Sequence, residues 1–204
     1  MSIIVNGTTI PSSGTIKVGN TNVTKVNVVK GSTTTTVWEK ITDINITSYT
    51  LQSSGYTDGW IDYDRPSNPI VLSGNSITIQ IDAGGGYNGY GYAYLLSTNT
   101  FTPSGQRLTI TGTVYWNGNH YGVNKMAVEL YNTSTGATTT VMSLASISGS
   151  ADGRGVLQST AVNKTFTLPS LSGTYKLRIR YDTEGYFDGT GYGKLTLTSV
   201  VIKP

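Results

Sequence analysis

Strict alternation of apolar and polar residues runs through most of this chain and constrains its fold more than any other feature. Ile77, Ile79 and Ile81, for example, alternate with Thr78 and Gln80. Because successive side chains of a β-strand point to opposite faces, this pattern predicts strands with one apolar and one polar face. No segment shows the longer period of an amphipathic helix.

Four further segments repeat this alternation. Their apolar residues are Leu108, Ile110, Val114 and Trp116; Met126, Val128 and Leu130; Tyr175, Leu177, Ile179 and Tyr181; and Leu195 and Leu197, followed after a change of phase by Val200 and Ile202. The change of phase predicts a bulge near Ser199. Gly, Asn, Asp, Ser and Pro separate the segments at regular spacing. We therefore predict an all-β fold, an antiparallel β-sandwich (jelly roll) over residues 41–204.

The first forty residues differ from the rest of the chain because their β-type runs are shorter. Short β-type runs flank Asn6-Gly7 and Lys30-Gly31, which favour tight hairpin turns. The run 32–36 is either a polar strand or a connection. We predict a small N-terminal β-hairpin module at 1–40 that attaches the sandwich to something larger, since so short a piece buries little surface alone.

The composition limits the choice of partners. Charged residues make up 12% of the 204 residues, below the roughly 25% usual in globular domains. The net charge of +3 forms no dense patch. Lys176, Arg178 and Arg180 are the nearest approach to a basic stripe, and we interpret them as solvated outer-face charges, so we expect no nucleic-acid partner. The absence of cysteine excludes disulfides and thiol chemistry.

The start of the chain, at residues 1–6, has no basic region followed by a long apolar run. We therefore expect no signal peptide and no membrane span or membrane partner.

Aromatic–glycine segments are the strongest candidates for binding. Residues 84–94 and 185–193 combine Gly with Tyr, and Gly55-Tyr56-Thr57-Asp58-Gly59 shares its frame with 185–189. Flat rings stack on the C–H faces of sugars, and short amides and carboxylates bond sugar hydroxyls. The predicted carbohydrate-binding residues, on loops, are Trp60, Tyr87, Asn88, Tyr90, Tyr92, Trp116, Asn117, Tyr186, Asp188 and Tyr192. Protein contact, or rings that only cap the sandwich, are the alternatives.

The segment 115–121 is a second candidate. Asn117-Gly118 is typical of a hairpin tip, which would bring His120, the only histidine, close to Tyr115 and Trp116. A lone histidine is more typical of a surface or packing residue than of a metal ligand, and no acidic residue is adjacent. A glycan-contacting edge is the functional alternative.

Catalytic chemistry finds little support in the sequence. A glycosidase carboxylate pair could be assembled from Asp62, Asp64, Asp182 or Glu184, and no serine lies in a nucleophile elbow. Neither glycine-rich run has the ending of a phosphate-binding loop. We predict a protein that is not an enzyme and has no catalytic residues, no metal and no cofactor.

Two resemblances add to this interpretation. Residues 5–10, 23–31 and 36–40 resemble a small module of tail-associated structural proteins of bacteriophages and prophages. Residues 175–202 resemble the final strands of galactose-binding-like jelly-roll carbohydrate-binding modules, although 197–200 replaces that family's Asp-Asn, which puts its structural calcium in doubt.

The resemblances imply a tail or baseplate structural protein that presents a jelly roll to host cell-surface polysaccharide. Its partners would be other tail or baseplate proteins, and the chain itself would assemble as a homotrimer. Its location would be the virion or the cell exterior after synthesis in the bacterial cytoplasm. A stand-alone, non-catalytic carbohydrate-binding module or adhesin is the alternative.

Overall fold

The computed structural model describes most of the chain. It covers residues 2–5, 8–11, 16–18, 21–23, 25–30, 32–39, 42–57, 70–83, 89–118, 122–147, 158–185 and 189–204. Every regular element within these ranges is a β-strand. No helix among them is long and apolar enough to cross a membrane.

Contacts divide the chain into two compact units, Met1–Ile44 with Lys203–Pro204, and Asn45–Ile202. The first unit contains three antiparallel hairpins. Their strands are β1 (Ser2–Val5) with β2 (Thr8–Pro11), β3 (Ile16–Val18) with β4 (Thr21–Val23), and β5 (Lys25–Lys30) with β6 (Thr33–Glu39). The polar run 32–36 is therefore mostly strand. That residues 1–40 act as an attachment module stays a prediction.

The second unit holds the sandwich. Its strands are β7 (Ile44–Asn45), β8 (Tyr49–Thr57), β9 (Ile70–Ser73), β10 (Ser76–Ala83), β11 (Gly89–Ser97), β12 (Arg107–Gly118), β13 (Gly122–Asn132), β14 (Thr138–Ser146), β15 (Gln158–Thr167), β16 (Tyr175–Gly185) and β17 (Gly189–Lys203). Sheet I has the order β15-β12-β17-β10-β9, with β7 also beside β17. Sheet II has the order β14-β13-β16-β11-β8.

Successive strands repeatedly change sheets, as in a jelly roll, and this confirms the predicted fold class. The inner faces of the two sheets form the core. Ile77, Ile110, Val128 and Leu177, for instance, are completely buried. The predicted apolar faces of β12, β13, β16 and β17 all point inward. Burial also changes phase at Ser199, where two consecutive exposed residues precede Val200.

The alternation of glycine with tyrosine is itself a strand pattern. Along β11 the residues at odd positions are buried and the tyrosines are half-buried on the outer face. Small inner residues leave room for Tyr181, which pairs with Ala93 and is completely buried. The Tyr181 hydroxyl donates to Asn124 Oδ1, and burial raises the pKa of Tyr181.

Two predictions about this region were wrong. Residues 89–94 and 189–193 belong to β11 and β17 rather than to loops, because the period of two extends through the glycines. Asn117-Gly118 does not lie at a hairpin tip between paired strands, because β12 belongs to sheet I and β13 to sheet II.

Candidate functional site

The outer face of sheet I carries an open cleft of about 410 Å³. This volume lies within the range of roughly 300–1,000 Å³ typical of small-molecule sites. Four strands, β10, β12, β15 and β17, supply its walls. The lining residues are Thr78, Thr113, Tyr115, Ser159, Tyr192, Lys194 and Thr196. Each occupies a polar position of the period-two pattern, so the alternation that builds the core also builds the cleft.

Two tyrosines form the aromatic part of the cleft. Tyr115 of β12 and Tyr192 of β17 have ring centroids 5.7 Å apart and ring planes inclined at 38°. Partial desolvation and the hydrogen bond between the two phenol groups raise the pKa of Tyr115. The pair forms a stiff, uncharged aromatic surface on sheet strands. Rings held in this way can stack on the apolar face of a ligand at low entropic cost.

Short hydroxyl side chains and one ammonium group make up the rest of the lining. Thr78 and Lys194 are direct cross-strand partners on β10 and β17, and Ser76 and Thr196 form the next pair. The Ser76 and Thr196 hydroxyls lie 2.9 Å apart. Gly112 of β12 permits the close approach of strands here, since a Cβ atom at this position would lie 2.1 Å from the Thr196 carbonyl oxygen. The cleft therefore offers several hydrogen-bonding groups around two rings.

The outer face of sheet II is different, although it is also rich in tyrosine. Tyr90, Tyr92 and Tyr94 follow one another along β11, with successive ring centroids 6.1 and 5.9 Å apart. The guanidinium of Arg178 stacks 4.6 Å above the Tyr94 ring. Arg180 lies 5.5 Å from the rings of both Tyr92 and Tyr94. Here the rings are covered by the protein's own cations.

Arg180 is at the centre of a closed hydrogen-bond network on this face. It binds Asp182 through two bonds, Nε to Oδ1 at 2.7 Å and Nη2 to Oδ2 at 2.8 Å. Arg180 also donates to the Tyr90 hydroxyl at 2.7 Å, and that hydroxyl donates to Asp182 Oδ2 at 2.7 Å. The Asp182 side chain is only 1% exposed. Burial and the bond to Asp182 raise the pKa of Tyr90 to about 12.

Two further cations of this face, one on β16 and one on β13, are paired as well. Arg178 Nε lies 2.6 Å from Glu129 Oε2, and Lys125 Nζ lies 2.6 Å from Glu184 Oε1. The interpretation of Arg178 and Arg180 as simply solvated charges was therefore wrong, because carboxylates on β13 and β16 hold both. Three of the acidic groups of this face are neutralised within the sheet.

Tyr92 is fixed in a further way. It pairs across the strands with Gly55 of β8, and a Cβ atom at Gly55 would lie 2.3 Å from the Tyr92 ring. The ring therefore lies flat on the glycine backbone instead of projecting outward. This packing explains why Gly55 and Tyr92 occupy facing positions, and it reduces the ring area that a ligand could reach.

The structure distributes the predicted binding residues over several places. Tyr192 lines the cleft, whereas Tyr90 and Tyr92 lie on the opposite sheet. Trp116 points into the core and is 3% exposed, so its ring is not accessible to a ligand. Asn117 lies at the end of β12. Outside the described residues lie Trp60, Tyr87, Asn88, Tyr186 and Asp188, as do His120, Asp62 and Asp64.

Sequence reasoning missed most of the cleft. Tyr115 and Thr113 stand in the polar phase of β12, and Lys194 and Thr196 in that of β17. The alternation with a period of two placed Tyr115 and Thr113 on an outer face. Nothing in the sequence indicated that β12 and β17 would be neighbouring strands. Among the described residues, no group of three His, Cys, Asp or Glu side chains could hold a metal ion.

Comparisons with known proteins give only distant structural similarities. No family model and no curated protein matches the chain. A family 29 carbohydrate-binding module complexed with mannohexaose is 13% identical, with a TM-score of 0.35, covering 79% of this chain and 90% of that one. The N-terminal cellulose-binding domain of Cellulomonas fimi β-1,4-glucanase C is 11% identical, with a TM-score of 0.34 and coverages of 65% and 82%.

A structure of infectious bursal disease virus is similar to a comparable degree. It is 9% identical, with a TM-score of 0.36, covering 89% of this chain and 38% of that one. Identities this low and TM-scores this far below 0.5 say nothing about the ligand of this chain.

Proposed function

We propose that this protein is a non-catalytic glycan-binding protein whose binding site is the cleft of sheet I. The observation that carries the proposal is the pairing of Tyr115 and Tyr192 in a cleft otherwise lined by hydroxyls and one ammonium group. Pyranose rings have apolar C–H faces that stack on aromatic rings and an equatorial rim of hydroxyls. The two tyrosines match the faces, and the Thr and Ser hydroxyls match the rim.

The positions of the acidic groups support a binding role without catalysis. Glycoside hydrolysis needs two carboxylates on either side of the scissile bond. The described residues that line the cleft include no carboxylate and no histidine. Asp182, Glu129 and Glu184 form ion pairs on the outer face of sheet II instead. The cleft can therefore hold a sugar but has no described group placed to protonate its leaving oxygen.

The test is a glycan array followed by calorimetry on the glycans that bind. We expect Tyr192→Ala to weaken binding by about ten- to thirtyfold, because truncating a central aromatic anchor costs roughly 1.5–2 kcal/mol or more. Tyr92→Ala is the matched control, since it removes the same side chain from the other sheet. An array on which the wild type binds no glycan, or equal losses from both variants, would contradict the proposal.

The biological setting is a separate part of the proposal. A phage or prophage tail location, with the sandwich facing the host, depends on the resemblance of residues 5–40. Repeated copies on a particle would raise the avidity of a weak site. Deleting residues 1–40 should leave glycan binding unchanged and abolish incorporation into tails. Unchanged oligomeric state and unchanged particle incorporation after the deletion would favour a stand-alone binding module or adhesin.

A further inference from the structure

We propose that the cleft of sheet I selects glycans that carry a negative charge on or beside the sugar ring. This inference rests on the proposed function, since it names the ligand class of the same site. The charge-bearing residue of the cleft is Lys194, which lies on β17 between Tyr192 and Thr196 on the same face. A sugar stacked on Tyr192 would therefore be next to the ammonium group.

Lys194 differs from three half-buried cations of the opposite face. Lys125, Arg178 and Arg180 each form an ion pair with a carboxylate of sheet II. Among the side chains that the structure describes, Lys194 has no ion-pair partner. Its cross-strand neighbour on β10 is the neutral Thr78. No described group around the cleft therefore neutralises this positive charge.

A bound ligand changes the energy of this ammonium group. A sugar that covers the cleft removes water from Lys194, and a desolvated charge is costly unless an opposite charge replaces the water. A neutral sugar can accept hydrogen bonds from the ammonium group but cannot restore the lost solvation in full. A carboxylate or phosphate in the same place both accepts these bonds and compensates the charge. The cleft therefore favours an anionic over a neutral sugar.

Two kinds of glycan present this chemistry, uronic acid polymers and polymers linked through phosphate. Matched polymers separate the charge from the sugar. Polygalacturonate and its carboxyl-reduced form share a backbone and differ in charge, and a glycerol-phosphate polymer tests phosphate as the source. Binding of each to the full chain is measured by calorimetry at about 50 and about 500 mM salt. The variants are Lys194→Gln, which keeps hydrogen-bond donors without the charge, and Lys194→Arg.

We expect the wild type to bind one of the charged polymers about tenfold more tightly than the neutral one at low salt, with the preference shrinking at high salt. Lys194→Gln should weaken binding of the charged polymer about three- to tenfold and leave the neutral polymer within twofold, whereas Lys194→Arg should retain the preference. Lys176→Gln, on the outer face of sheet II, is the control and should change neither.

Three outcomes would overturn the inference. If Lys194→Gln weakens charged and neutral polymers equally, or the wild type shows no preference for charge, the anionic selectivity is wrong, although Tyr192-dependent binding would keep the proposed function. If none of the three polymers binds while the wild type binds a neutral glycan of the array through Tyr192, the anionic selectivity is wrong and the proposed function stands.

Discussion

The outer faces of sheet I and sheet II both carry tyrosines beside cationic side chains, yet the cations are in opposite situations. On sheet II, Arg178 and Arg180 cover the rings and are held by Glu129 and Asp182. On sheet I, Tyr115 and Tyr192 lie in an open cleft beside a lysine without an ion-pair partner among the described side chains. The comparison teaches that aromatic residues on a sheet indicate binding only when their polar neighbours are not already satisfied by each other.

Removal of Arg180 is expected to have the largest effect on the sheet II face. Arg180→Ala would leave the buried Asp182 carboxylate without its bidentate partner, which typically costs 3–5 kcal/mol for fully buried pairs. Since Arg180 is 30% exposed, we expect a loss of about 2–3 kcal/mol in the free energy of unfolding, measured by urea denaturation. Glycan affinity should stay within twofold, and a loss of affinity without a loss of stability would reverse the roles of the two faces.

Removal of Tyr115 should have the opposite profile. Tyr115→Ala deletes half of the aromatic pair in the cleft, and we expect glycan affinity to fall by about tenfold. Because the ring is on the surface, the free energy of unfolding should change by less than about 1 kcal/mol. Calorimetry and urea denaturation of the same variant check both values. A large loss of stability would show that the pair of Tyr115 and Tyr192 stabilises sheet I, as the arginines stabilise sheet II.

Gly55 tests how firmly Tyr92 is held. Gly55→Ala would place a methyl group against the Tyr92 ring and force it outward. We expect a destabilisation of about 1–2 kcal/mol, typical of overpacking relieved by a side-chain movement. The double variant with Tyr92→Ala should recover part of this loss, because the clash disappears. If the losses in the free energy of unfolding of the two single variants simply add in the double variant, the two residues are not in steric contact.

The smallest expected effect concerns alkaline pH. Because the pKa of Tyr90 is raised to about 12 in the folded protein and is about 10 in the unfolded chain, the folded state binds more protons between pH 10 and 12. The contribution of Tyr90 to the free energy of unfolding is complete below pH 10 and is lost as the pH rises through 12. Tyr90→Phe should flatten the decline of stability over this window. Tyr131→Phe, which changes a tyrosine of β13, serves as the control. Equal slopes in wild type and Tyr90→Phe would contradict the raised pKa.

The sequence predicts much of the fold because period-two alternation decides which residues enter the core. Ile77, Leu108 and Leu177 were assigned to inner faces from this pattern alone, and each is completely buried. The glycine–tyrosine runs were mistaken for loops because glycine is a common turn residue. Their alternation, with glycine inward and tyrosine outward, follows the same rule as the other strands.

The site was harder to predict than the fold. Tyr115 and Tyr192 lie 77 residues apart in the chain and meet only because β12 and β17 are neighbours in sheet I. That neighbourhood depends on long-range pairing, which alternation does not encode. Trp116 shows the reverse error, since its aromatic character suggested binding while its phase within β12 placed it in the core. Phase was the better guide to accessibility.

The central claim is that the sheet I cleft, and not the tyrosine row of sheet II, contacts glycan. The most direct measurement is the map of backbone amide shifts of the isotope-labelled full chain during titration with a glycan selected on the array. We predict that the largest changes fall on β10, β12 and β17 around Thr78, Thr113 and Lys194, while β11 and β16 change little. Changes concentrated around Tyr92 and Arg180, with the cleft unaffected, would contradict the account.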